Sequence, residues 1–350
     1  MNNFELPDNE INFIAGNNVD YKKDIIKSLN IYFGNLKEDA KYVDYNKDTL
    51  KIFNGNTLIN KKDYKIINLD FSNIDLNNEV DLGKTSILRE ILISSLNTYY
   101  SNTDIPILIN SIFIDLVDSI KSNNDIFNEN LIQNIDINIS QNEFTVKDII
   151  DNIINIELTK EENKIPIDFL SNYEQSKIMI KLIEKLIKLN SYEKNIILLV
   201  NNIDCLLSDN QILEMYNLIK DIVESNKIKV YIFTNNFDVL ESPKNIYKTM
   251  IINQNNSVLN LENYDDILNK VALNFPKEVS ISYLSEVMKY SILKYIKYLG
   301  NFVKLNDFKI VDLEELTVIK IINDVFEFKY DLNLAKNHQN SCFYLYLNEI

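Results

Sequence analysis

Two adjacent amides, Asn201 and Asn202, stand where a pair of carboxylates would do chemistry. They close the run NIILLVNNID, residues 195–204, whose five consecutive apolar residues, Ile196 to Val200, read as a strand buried on both faces of a parallel sheet. An Asp at the end of such a strand would hold Mg²⁺, and a following Glu would orient the water that attacks a phosphoryl group. An amide oxygen has no net charge to offset a divalent cation, and an amide nitrogen takes no proton at neutral pH. The pattern is that of a nucleotide-hydrolysing core with its catalytic groups removed.

Other fragments of such a core follow in the matching chain order. Gly16 to Lys23 reads GNNVDYKK against G-x-x-x-x-G-K-[ST]: Gly16 and Lys22 fit, while Tyr21 replaces the second glycine and Lys23 the hydroxyl residue. Leu170 to Glu174, LSNYE, echoes an LSGGE signature without its glycines, and Asn235 stands where transporter-type ATPases carry a histidine. The chain's lone histidine, His338, lies far off in the C-terminal tail and reads as a surface residue. Gly83-Lys84-Thr85 offers a rival phosphate loop, although Asn78 occupies the position of its first glycine, and helix initiation is the blander reading.

Charged groups at regular spacing supply two further candidates. Lys177, Lys181, Lys185 and Lys188 fall within a narrow arc of one helix, opposite Ile178, Ile180, Leu182, Leu186 and Ile187, and so form a basic stripe suited to phosphate contact. Glu174 and Glu184 lie near enough to neutralise part of it. Asp115 and Asp118, with Asp125 and Glu129 beyond them, could offer oxygen ligands to Ca²⁺ without matching an EF-hand loop.

These residues need an α/β frame to bring them together. Ile11 to Ala15 predicts a strand, and Ile25, Ile26, Leu29 and Phe33 the helix after it. Ser208 and Gln211 form a capping box ahead of a helix through Val223, and Lys229 to Thr234 predicts the next strand. From about Thr85 to Asn190 the pattern turns helical, with Asn-rich breaks. Beyond Glu262, Tyr283 to Leu299 and Leu313 to Phe328 predict further helices, rich in Tyr, Phe and Lys.

The composition narrows the classes. The 350 residues are 46% hydrophobic and 25% charged, enough for more than one core and unlike a disordered chain. A net charge of −15 argues against a surface coated for nucleic acid, though not against a basic groove or lumen on an acidic body. Cys205 and Cys342 fit no zinc or disulfide spacing, and no stretch has signal-peptide or membrane-span character, so a cytoplasmic protein without a membrane partner is expected. Abundant Asn, Ile and Lys, with Arg89 the single arginine, suggest an AT-rich bacterial genome.

The segment TSILREILISSLNTYY opening a helical arm, followed by EKNIILLVNNIDCLLSDNQILEMYNLIKDIVESNKIKVYIFTNN closing the sheet, resembles the Csn-two family of type II-A CRISPR-Cas adaptation modules over residues 1 to about 250. The additional hundred residues resemble the large form of that family. The resemblance implies a degenerate ABC-ATPase-like, P-loop-like α/β head (1–82 and 191–260), a helical leg insertion (83–190) and an extra, mainly helical C-terminal domain (261–350). It also implies a homotetrameric ring that threads double-stranded DNA ends, binds Ca²⁺, hydrolyses no ATP and works beside other CRISPR adaptation proteins in spacer acquisition. The expected DNA-facing lysines are Lys22, Lys23, Lys177, Lys181, Lys185 and Lys188; the expected Ca²⁺ ligands are Asp115, Asp118, Asp125 and Glu129. The emptied nucleotide site would comprise Gly16, Lys22, Asn201, Asn202 and Asn235. The alternatives are a working P-loop ATPase using Gly83-Lys84-Thr85, or a scaffold that binds only proteins through its Tyr-rich C-terminal region.

Overall fold

The computed structural model describes residues 6–16, 18–33, 51–54, 57–101, 103–122, 145–160, 163–190, 194–226, 228–234, 246–252, 258–295, 299, 312–328 and 342–348. Asp125, Glu129, Asn235 and His338 lie outside them. Among the described residues are ten strands, β1 Ile11–Ala15, β2 Phe53–Asn54, β3 Thr57–Leu58, β4 Tyr64–Asp70, β5 Thr159–Lys160, β6 Asn163–Lys164, β7 Asn195–Asn201, β8 Ile228–Phe233, β9 Thr249–Ile252 and β10 Val258–Asn260, and eleven α-helices. β2 with β3 and β5 with β6 form isolated hairpins.

The remaining six strands make one sheet in the order β10-β9-β1-β8-β7-β4, parallel except where β10 runs antiparallel to β9. β1, including its polar Asn12, and the central residues Ile196 to Val200 of β7 are buried on both faces, as expected of strands covered on each side. Each fully buried Ile, Leu or Val of β7 is worth roughly 1.5–3 kcal/mol relative to exposure, so Leu198→Asp would unmake the sheet. The register sets Asp70 of β4 against Asn201 of β7, and Asn201 against Phe233 of β8. The last residues of β4, β7 and β8 therefore share the carboxyl edge of the sheet.

The helix Val19–Tyr32 starts directly behind β1, where the Asn18 side chain accepts a hydrogen bond from the Tyr21 N–H at 3.0 Å. Its Ile25 and Leu29 pack on Ile14, Ile66 and Leu199 of the sheet. Asn30 and Asn68 exchange amide hydrogen bonds of 3.0 and 2.6 Å between that helix and β4. After β7, the Ser208 N–H donates to the Gln211 side chain at 2.9 Å and opens the helix Asp209–Ser225, whose Ile212, Met215, Ile219 and Ile222 are buried.

The chain divides into two compact units, one comprising residues 1–74, 172–180 and 190–350, the other 75–171 and 181–189. The first holds the sheet and also the C-terminal helices Tyr264–Asn274, Ile281–Tyr295 and Leu313–Val325. In the last of these, residues 315 to 323 are all buried, and Glu315 accepts from Lys294 at 2.7 Å and from the Tyr295 hydroxyl at 2.9 Å. The second unit centres on Leu82, Val146 and Ile150, with Leu88, Leu92 and Leu96 against them.

Candidate functional site

The two amides at the end of β7 face a carboxylate on the neighbouring strand. Asp70 ends β4, and its Oδ1 accepts from the Ser72 N–H at 3.0 Å, the Ser72 hydroxyl at 2.7 Å and Asn202 Nδ2 at 2.9 Å. Its Oδ2 accepts from Asn201 Nδ2 at 3.3 Å. Asn202 reaches this position from a left-handed backbone, φ 53°, which asparagine tolerates better than most residues. Burial pushes the Asp70 carboxyl up, but the bonds from Ser72, Asn202 and Asn201 outweigh it and hold the group below its ordinary value. Asn201 and Asn202 thus serve as donors to an internal anion.

Lys22 adds the opposite charge. It lies in the first turn of the helix Val19–Tyr32, is only 6% exposed, and donates from Nζ to the Thr234 carbonyl at 3.1 Å. Burial lowers its pKa from 10.5 to about 8, against the pull of Asp204. Exposed Lys23, Asn201, Asn202, Asp204 and Thr234 help to line the adjoining pocket, which measures about 40 Å³. That volume admits a few water molecules, each needing roughly 10–15 Å³.

Gly16 has a different task from that of a phosphate loop. Its φ is +99°, and a Cβ there would lie 2.2 Å from the Ile252 carbonyl oxygen of β9. The glycine is demanded by close backbone approach and by handedness. Because the helix begins at Val19, the matched Lys22 sits inside its first turn.

Gly83-Lys84-Thr85 sits in the second unit, just ahead of the helix Ile87–Ser101. Gly83 N–H donates to the Asn78 carbonyl at 2.9 Å, and Lys84 is exposed. The start of the following helix is already taken by an anion. Buried Glu79 accepts from the N–H groups of Ile87 at 3.1 Å and Leu88 at 2.8 Å, and from the Ser86 hydroxyl at 2.8 Å. A helix N-terminus favours an anion through its unpaired N–H groups and its dipole; here the protein's own carboxylate fills the place.

The predicted lysine helix spans Asn172–Asn190. Lys177 donates to Glu214 at 2.8 Å and to the Tyr173 hydroxyl at 3.3 Å, and Tyr173 also bonds Glu214. Lys181 and Lys188 share Glu184, at 2.8 and 2.7 Å. Lys185 is exposed and pairs with no carboxylate among the described residues. The stripe therefore retains its spacing but has much of its charge balanced, with Lys185 its open position. Asp115 and Asp118 are exposed on the helix Ile105–Ser122. Among the described residues no group of three or more His, Cys, Asp or Glu could hold a metal ion, and the other two expected Ca²⁺ ligands, Asp125 and Glu129, lie outside those residues.

Sequence reading passed over Asp70, Ser72, Glu79 and Asp204. Asp70 could have been suspected, since it is the one acidic residue in the strand-like run Ile66 to Phe71 and stands two residues before the hydroxyl of Ser72. Its partners lie some 130 residues on, beyond the reach of local pattern.

Fold and site define an α/β protein with a mostly parallel six-stranded sheet whose carboxyl edge is closed by its own amides, carboxylate and lysine. The chain is similar in structure to the crystal structure of Stu0660 of Streptococcus thermophilus, with a TM-score of 0.68 and 16% sequence identity, covering 97% of this chain and 95% of that one. The likeness in fold thus extends through the C-terminal helices. No protein-family model matches the sequence, and no curated protein matches it significantly. No helix among the described residues is long and apolar enough to cross a membrane.

Proposed function

We propose that this chain is a large-form member of the Csn-two family: a non-catalytic protein that binds double-stranded DNA ends without reading sequence, as a homotetrameric ring serving CRISPR spacer acquisition. The observation that carries the reading is the closed sheet edge. The strand order β9-β1-β8-β7-β4, with a loop and helix after β1 and amides ending β7, supports a reading as a P-loop-like plan in which Asp70 takes up Asn201 and Asn202, and Lys22 takes up the Thr234 carbonyl, instead of nucleotide and metal. Glu79 at the Gly83-Lys84-Thr85 helix start speaks against the rival ATPase reading for the same reason. Ring assembly, the preference for ends and Ca²⁺ dependence rest on the family resemblance.

Phosphate contact is assigned to exposed lysines, Lys23 and the stripe of Lys177, Lys181, Lys185 and Lys188. Lys22 drops out of that set, because its ammonium is buried against Thr234. Contacts of this kind carry no base information and weaken steeply with salt.

A mobility-shift comparison of linear and covalently closed duplexes of equal length, with Ca²⁺ and then with chelator, tests the proposal. Preference for the linear form, enhanced by Ca²⁺, is expected; equal binding would point to an open groove, and absence of binding to a protein scaffold. Lys185→Glu should weaken binding more than Lys177→Glu, whose charge Glu214 already balances, and should lower the slope of log affinity against log salt by about one. ATP hydrolysis abolished by Lys84→Ala would overturn the whole reading.

A further inference from the structure

The hairpin of β2 and β3 turns one face to the core and the other to solvent. Phe53 pairs with Leu58 and Asn54 with Thr57, and the Ile59 N–H donates to the Ile52 carbonyl at 2.9 Å, which carries the ladder one pair further. Cross-strand partners share a face and neighbours along a strand alternate, so Ile52 and Ile59 stand on one side and Phe53 and Leu58 on the other. The inner side is anchored: Ile52 packs against the core cluster that holds Ile14, Ile66 and Leu199, and the Tyr32 hydroxyl donates to the Ile59 carbonyl. The outer side is open, with Phe53 54% and Leu58 52% exposed. Lysines frame this apolar pair. By the same alternation Lys51 shares the outer face with Phe53, and Lys61 and Lys62 follow β3. All three are exposed and pair with no carboxylate among the described residues. In a chain of net charge −15, residues 51–65 hold four lysines against one acid, Asp63, which accepts from the Asn60 side chain at 3.1 Å.

We infer that the outer face of this hairpin receives the open end of a DNA duplex, with the Phe53 ring stacked on the uncovered face of the last base pair, Leu58 beside it, and Lys51, Lys61 and Lys62 on the flanking phosphates. The inference rests on the DNA-binding reading above and names a group that can tell an end from the interior. Phosphates repeat identically along a duplex, so lysine alone cannot make that distinction. What an end offers and the interior lacks is a bare base face, and an aromatic side chain stacks on such a face whatever the base. Three features of the hairpin favour this occupant. The first is charge, since local cations without carboxylate partners on an acidic protein suit a polyanion. The second is size: the two half-exposed side chains offer on the order of 200 Å², about a quarter of the ~800 Å² per partner of a stable protein interface. The third is rigidity, because the anchored inner face presents the Phe53 ring with little left to order on binding.

The chain contains no tryptophan, so Phe53→Trp in the full chain introduces a single indole at this position. A blunt linear duplex should quench its emission, while a covalently closed circle of the same length should quench it far less. Phe53→Ala, with its circular dichroism unchanged, should lose about ten-fold or more in affinity for the linear form and little for the circle. Phe53→Leu should lose as much, because it keeps the apolar bulk without the ring. A parent that binds neither form would overturn the DNA reading and this inference with it. A parent that prefers the linear form, with Phe53→Ala retaining that preference, would overturn the role of the hairpin alone. Two further outcomes would also sink it. One is quenching by poly-glutamate equal to that by linear DNA, which would mean a surface for any polyanion. The other is a blue-shifted emission on phosphatidylglycerol vesicles without quenching by DNA, which would mean a lipid contact.

Discussion

The segments Gly16–Lys23 and Gly83–Thr85 each set a glycine and a lysine ahead of a helix, and each closes against phosphate in the opposite sense. Behind β1 the cation is withdrawn: Lys22 is folded inward onto the Thr234 carbonyl, and its glycine is spent on the approach to Ile252. Ahead of the helix Ile87–Ser101 the cation stays exposed at Lys84, and an anion, Glu79, is drawn into the place a phosphate would take. One segment has lost its usable charge and the other its vacancy. The same pairing of glycine and lysine therefore sits in two different physical settings, and each can be probed alone.

The largest contrast lies between the glycines. Gly16→Ala places a Cβ against a backbone oxygen at a positive φ, and should cost about 3 kcal/mol or more, enough to leave the chain largely unfolded. Gly83→Ala meets chiefly the Asn78 side chain, which can swing aside, and should cost about 1 kcal/mol. Urea midpoints of the two variants give the comparison. Equal costs would mean that the β1 glycine is not the constrained one.

Lys22 comes next. A pKa lowered from 10.5 to about 8 means that the folded state gives up this proton earlier than the unfolded chain. Between pH 8 and 10.5 the unfolded state binds more protons, so stability attributable to Lys22 rises with pH across that window, by on the order of 3 kcal/mol in total. Lys22→Met removes the term. Wild-type stability minus that of the variant should therefore climb from about pH 8 to about pH 10, and a flat difference would place the ammonium in water.

Glu79→Ala should cost about 2 kcal/mol, since it strips a charged acceptor from two helix N–H groups and the Ser86 hydroxyl. If the carboxylate occupies a phosphate's place, inorganic phosphate should raise the variant's melting temperature and leave the parent's unchanged. A parent that responds equally would break the contrast between the two segments.

How much of this was legible in the chain follows from the range of each interaction. β7 stood out because five consecutive apolar residues have few other uses, β1 and β8 because a single polar residue interrupts each otherwise apolar run, and the Ser208–Gln211 box marked its helix because its two partners are three residues apart. The lysine spacing on Asn172–Asn190 was equally local. The closure of the site was not: Asp70 meets Asn202, and Lys22 meets Thr234, across 132 and 212 residues. Gly16 misled for another reason, since a glycine for phosphate and a glycine for strand approach look identical in sequence. The amides of Asn201 and Asn202 read from sequence as groups unable to do acid–base or metal chemistry, but their use as donors needed the neighbouring strand.

Asp70 gives the smallest effect and the most direct test of the closed edge. Its carboxyl sits below its usual value, so its contribution is present above about pH 4 and is lost as pH falls through the folded value. The group is partly exposed, and solvent screening holds the contribution to about 1 kcal/mol. Asp70→Asn should lose that amount at about pH 7 and show a shallower acid limb than the parent, while Asn201 and Asn202 lose their charged acceptor. The variant should not bind Mg²⁺-ATP, because Lys22 remains committed to Thr234. Should the variant take up nucleotide where the parent does not, the edge would be latched by this one carboxylate; refusal by both would mean that the cation withdrawn behind β1 is a sufficient barrier by itself.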